Sequence, residues 1–244
     1  MENTFLKDAI RQIASMAAPT IRETSDGLYA DKPMMKFYEK PAEPEQLHLD
    51  TLTGLVKAIL FEPCSDDNAQ RLLVHVIDQC SVHVMSELWD ARRRYHYYTA
   101  LSMVPQATFG QWMDHERAII ELRTLYAPTP DREYLLDLLS SMDLQQGVKT
   151  TDNGVTQEVV AKRGVVLKES ICVKPIVRLK PYRTFLEVDQ PESEFLLRVN
   201  GEGQVALYEA DAGAWKLEAK RNIAAWLEDK LSAEIESGGL IVLI

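Results

Sequence analysis

The spacing of apolar residues changes near Gly147 in this 244-residue chain. Before that point most apolar stretches repeat at helical intervals; after it they alternate, as in strands with one buried face. Phe5, Ala9, Ile10, Ile13 and Met16 predict an amphipathic helix over 5–17, suited to an oligomer contact. Pro19, Pro33, Pro41 and Pro44 then break a polar stretch that reads as an extended lead-in. Asp50 is placed to cap a helix with Leu52, Leu55, Val56 and Ile59 on one stripe. Leu72–Ile77 and Ser81–Leu88 alternate around Asp78-Gln79, the pattern of a hairpin. Helical spacing returns over 109–126 with Trp112, Ile119, Leu122 and Tyr126, and Thr129-Pro130 starts another helix.

Beyond Gly147, Asn153-Gly154 marks a turn, with Val155–Val160 and Val165–Leu167 as flanking strands. Further strands are expected at Ile171–Leu179, Glu194–Val199 and Val205–Glu209, then a helix from Trp215 to Leu231 and a strand after Gly238-Gly239. The fold class is α+β. It has a helix-rich N-terminal half with a β-hairpin, an antiparallel-rich sheet in the C-terminal half and a late amphipathic helix. Residues 1–48 read as the N-terminal helix and lead-in, and 49–244 as one α+β domain, any subdivision falling near 145–150.

With 27 basic and 37 acidic residues the formal net charge is −10, which argues against coating extended nucleic acid. Cys64, Cys80 and Cys172 are far apart and form no CxxC pair, so zinc and dithiol chemistry lack a motif. The N-terminus lacks the basic and apolar regions of a signal peptide, and no apolar run reaches the length of a membrane span. A cytoplasmic location is the expectation. No GxSxG, GxxxxGK[ST] or GxGxxG is present, and no enzyme, metal or cofactor is expected.

Against this acidic background one segment reverses sign. Lys162, Arg163, Lys168, Lys174, Arg178, Lys180 and Arg183 face a single acid, Glu169, which makes +6 locally and leaves −16 to the remainder. As a strand, the segment projects Lys174, Arg178, Lys180 and Tyr182 to one side and Val173, Val177 and Leu179 to the other. Two readings follow. One is an anion-binding surface with cations for phosphate, Tyr182 for stacking and Arg183 beyond the rigid Pro181 turn. The other is a solvated face neutralised by the acidic C-terminal third, with Arg183 as a structural corner.

A second cluster, Arg92, Arg93, Arg94 and Tyr95 followed by His96-Tyr97-Tyr98, suits nucleotides, or equally a helix or edge strand with paired arginines. His75 and His83 lie on neighbouring strands but lack a third ligand and read as packed histidines. Asp114, His115 and Glu116 are adjacent, point in different directions on a helix and are not read as catalytic.

Several of these segments together resemble a known family. They are Leu49–Leu55, Asp152–Gln157, Leu179–Phe185 with its Pro-Tyr-Arg-Thr-Phe core, Glu187–Phe195 with Gln-Pro-Glu-Ser, and Glu209–Trp215. The pattern is similar to the YfdQ-like family of phage and prophage proteins, over most of residues 45–232. Asn153 and Ala212 stand where that pattern often has aspartate and glycine. The resemblance implies a bacteriophage origin and supplies no catalytic residues. With the basic segment, it leads to the expectation of a binding protein in the infected bacterial host. That protein sequesters a nucleotide-derived immune signal, a cyclic oligonucleotide or an ADP-ribose derivative, as a homo-oligomer without enzymatic chemistry. The alternative expectation is an accessory or structural phage protein that works through protein contact, including as an acidic mimic of nucleic acid.

Overall fold

In the computed structural model the chain divides between Pro44 and Glu45 into two units. The structure describes residues 2–17, 20–24, 27–30, 45–61, 71–88, 94–141, 150–152, 157–163 and 167–244. The first unit holds α1 (Glu2–Ala17) and an antiparallel hairpin of β1 (Ile21–Thr24) and β2 (Gly27–Ala30). Ile10, Ile13 and Met16 on α1 are exposed.

The second unit begins with β3 (Leu47–Leu49), α2 (Leu52–Phe61), β4 (Leu72–Asp78), β5 (Ser81–Ser86) and β6 (His96–Leu101). Helices α3 (His115–Leu125) and α4 (Pro130–Ser141) follow, then β7 (Thr150–Asp152), β8 (Gln157–Arg163), β9 (Leu167–Val173) and β10 (Ile176–Leu179). The rest is β11 (Ser193–Val199), β12 (Val205–Glu209), α5 (Trp215–Lys230), α6 (Ser232–Glu236) and β13 (Leu240–Leu243). The class is α+β. Among the described residues no helix is long and apolar enough to cross a membrane.

A mixed five-stranded sheet has the order β13-β4-β5-β6-β3, with β13 parallel to β4 and β3 parallel to β6. Its alternation buries Val74, Val76, Val82 and Val84 against Leu52, Leu55 and Ile59 of α2 and Ile223 and Leu227 of α5. A second core forms where Leu122 of α3 and Leu135, Leu138 and Leu139 of α4 pack on Val177, Leu179, Phe195 and Leu207 of the β10-β11-β12 sheet. Each such side chain contributes about 1.5–3 kcal/mol on burial. A third sheet, β7-β8-β9, is antiparallel.

Local chemistry sets the element ends. The Gly54 N–H donates to Thr51 Oγ1 at 3.1 Å, so Thr51 rather than Asp50 caps α2. Thr129 caps α4 through the Arg132 N–H at 3.1 Å, with Pro130 at the first helical position. Asp114 caps α3 through the Arg117 N–H at 2.8 Å, which starts that helix later than its apolar spacing suggests and leaves Trp112 exposed ahead of it. The expected single strand 171–179 is split at Lys174-Pro175, and its halves join different sheets. Asn153-Gly154 and Arg92-Arg93 lie outside the described residues.

Candidate functional site

Along β10 the alternation holds: Val177 and Leu179 enter the core while Arg178 points outward. Every described cation of the basic segment from Lys174 onward then meets an acid from elsewhere in the fold. Arg178 is the register partner of Glu194 on β11, and its Nε and Nη2 donate to Glu194 Oε1 at 3.2 and 2.9 Å. Lys174 Nζ lies 3.2 Å from Asp131 Oδ1 and 4.7 Å from the Tyr134 ring centre. Lys180 Nζ lies 3.8 Å from Asp189. Tyr182 is half-buried, and its backbone N–H donates to the Leu125 carbonyl at 2.9 Å.

Asp131 ties two of these together, because it also accepts the Arg178 backbone N–H at 2.8 Å. Burial pushes the Asp131 carboxyl up, but the Arg178 N–H and the Lys174 ammonium outweigh it and hold the group below the usual carboxylate range. Its stabilising contribution is therefore complete above the unfolded value of about 4 and is lost as pH falls through the lower folded value. Asp131→Asn is expected to flatten the acid side of the stability profile, read by urea denaturation between about pH 6 and 2. An unchanged acid slope would remove Asp131 from that account.

Arg183 turns inward and is 8 % exposed. Its Nη1 donates to Glu209 Oε1 at 2.7 Å and its Nη2 to Ser193 Oγ. The guanidinium stacks 3.8 Å over the Trp215 ring, with Phe109 and Phe195 further out. Ser193 in turn hydrogen-bonds Asp211, which also accepts the Gly213 and Trp215 backbone N–H groups. Burial pushes the Asp211 carboxyl up, and those bonds together hold it below its ordinary value. The Asp211 turn places Ala212 at φ 52, a left-handed position that costs an alanine about 1 kcal/mol relative to glycine.

A single glutamine organises the loop that carries Arg183. Gln190 Oε1 accepts the backbone N–H groups of Arg183 and Thr184 at 3.0 and 3.3 Å. Its amide nitrogen donates to the Phe185 and Val188 carbonyls at 2.9 and 3.2 Å. Thr184 Oγ1 donates to the Gln79 carbonyl and the Cys80 thiol to the Arg183 carbonyl, which fastens the loop to the β4–β5 turn. Phe185 meanwhile enters the core under the five-stranded sheet. The Pro-Tyr-Arg-Thr-Phe and Gln-Pro-Glu-Ser segments thus form the joint between the two cores.

Beside this joint lies an open cleft of about 260 Å³. Arg178, Ser193, Ala214 and Trp215 line it together with four carboxylates, Glu192, Glu194, Asp211 and Glu218. Among its described lining residues the one guanidinium, that of Arg178, is already bound to Glu194. The arrangement suits a cationic group better than a phosphate. Sequence reasoning missed Glu192, Ser193, Glu194 and Trp215 as lining residues; the Gln-Pro-Glu-Ser motif was the available signal.

The second arginine–tyrosine cluster is anchored elsewhere. Arg94 Nη1 donates to the Ser86 carbonyl at 3.0 Å and the Tyr95 N–H to Ser86 Oγ at 3.0 Å, both at the end of β5. The histidines are the larger surprise. His75 and His83 are register partners, His83 also pairs Thr99, and His48 pairs Thr99 from the other side. His96 sits opposite Met85, its ring 6.3 Å from that of His83. Four of the five histidines thus share the sheet face opposite the valine core. Burial pushes the His83 imidazole down, and His96, His75 and His48 add to this while Asp78 opposes.

Comparison with protein-family models, curated proteins and solved structures finds no match for this chain.

Proposed function

We propose that the chain is a phage-encoded binding protein without catalytic chemistry, whose acidic cleft beside Trp215 receives a lysine- or arginine-bearing segment of a protein partner. The observation that carries this reading is the internal pairing of the basic segment from Lys174 onward. Lys174, Arg178, Lys180 and Arg183 each have a carboxylate within 4 Å, so their charge is matched inside the fold. The acidic excess is left to the surface, and the cleft concentrates it. An acidic surface that meets basic partners also fits a mimic of nucleic acid, since a DNA-binding face selects for negative charge.

The probe is a fluorescent arginine-rich peptide read by anisotropy at rising salt. Binding is expected at low ionic strength and should weaken as the screening length falls to about 8 Å. Glu192→Lys with Glu218→Lys should weaken it about tenfold or more, because like charges then oppose across the rim. A peptide that fails to bind, or binds the double variant equally well, sinks the reading.

A second reading keeps the nucleotide-derived signal as ligand. What favours it is that Lys174 and Arg178 remain more than half exposed in their ion pairs. Exposed pairs are worth about 0–1 kcal/mol, so a phosphate can displace their carboxylates. Binding of a cyclic dinucleotide or ADP-ribose by calorimetry, lost in Arg178→Ala, would establish this reading instead.

A further inference from the structure

We propose that the histidine-bearing face of the five-stranded sheet binds one divalent transition-metal ion, held by His83 and His96 with His75 as third ligand. The argument starts from register. His75 on β4 and His83 on β5 are directly opposed in an antiparallel pair, where Cβ atoms stand about 4.5–5.5 Å apart. His96 on β6 is brought to the same face by the irregularity in β5–β6 pairing at Val84/Met85, which places it opposite Met85. The His83 and His96 ring centres are 6.3 Å apart and edge-on. A tetrahedral metal bound to the nitrogens of two imidazoles at about 2.0–2.1 Å holds their ring centres about 5 Å apart, so the two rings draw together by about 1 Å on binding.

Among the described residues no group of three His, Cys, Asp or Glu side chains stands ready to hold a metal ion, so the imidazoles must converge on binding. His96 is exposed, and His75 and His83 are half-buried, on the face away from α2 and α5. An all-imidazole donor set selects zinc, copper or nickel and not magnesium or calcium, which require oxygen ligands. The remaining coordination positions point outward, open to water or to a donor from another molecule.

The test uses the full chain, prepared without an affinity tag and stripped with a chelator. Zinc titration by calorimetry at pH 7.5 (about one unit above the free imidazole pKa) should show one equivalent bound, and magnesium none. His83→Ala and His96→Ala should each lower zinc affinity about tenfold or more, and His75→Ala should lower it as well. His115→Ala is the control: that ring bonds the Leu139 carbonyl between α3 and α4 and stands off the face. On the unaltered chain, paramagnetic nickel should broaden the imidazole proton signals of His83 and His96 before that of His115, a readout that needs no variant to fold. Absence of zinc uptake, full affinity in both His83→Ala and His96→Ala, or uniform broadening of all five histidines would overturn the proposal.

Discussion

Arg183→Ala is expected to lower the free energy of unfolding by about 3 kcal/mol, read from the urea midpoint at unchanged slope. The substitution leaves Glu209 without its charge partner and Ser193 without its donor, and it empties the space over the Trp215 ring. Glu209 retains part of its solvent contact, which keeps the loss at the lower end of the range for a broken buried pair. Arg183→Lys should recover little of this. An ammonium cannot reach Glu209 and Ser193 at once from a planar fork, nor stack flat on an indole. A loss below about 1 kcal/mol would mean that the ion pair behaves as a surface pair and that Arg183 is available for a ligand.

Gln190→Leu should cost about 3–4 kcal/mol although it keeps the side-chain volume nearly constant. The amide serves two donors and two acceptors of the 183–188 backbone, all inside the fold. Leucine takes the partner from all four, although the Phe185 carbonyl keeps the Val188 N–H at 3.4 Å, and each group left unsatisfied costs about 1–3 kcal/mol, less where the loop relaxes or water enters. Hydrogen exchange should show the Arg183 and Thr184 amides losing protection more than those of β4 and β5. Equal protection at all four places would indicate that the loop holds its shape without the glutamine.

Much of the fold was legible because it rests on local rules. The valine alternation of 72–86 and the apolar stripe of α2 require only a period and a turn. The Thr129-Pro130 start of α4 requires only two neighbouring residues. Pairing between distant segments was not legible. The acids that neutralise Lys174, Arg178, Lys180 and Arg183 come from α4, β11, β12 and the 180–192 loop, and no spacing rule links them to β10. The positive charge from Lys174 onward therefore stood out in sequence and is matched by carboxylates in space. The histidine face was half visible. His75 and His83 followed from the hairpin, whereas His96 joined them only because β6 lies beside β5 inside the sheet rather than at its edge. His48 arrived through a parallel strand of three residues, too short to carry a period.

The parallel pairing of β13 with β4 has a kinetic consequence. Leu240 meets Leu72 across most of the second unit, whereas β10, β11 and β12 are neighbours in sequence as well as in space. Closing so long a loop loses chain entropy before any contact compensates it, so the smaller sheet can form early and the larger one completes late. Until β13 arrives, β4 presents an open apolar edge, the kind that pairs readily with a stranger. The rate at which β13 docks therefore governs how much of the chain is diverted to aggregates during refolding, independently of how stable the finished fold is.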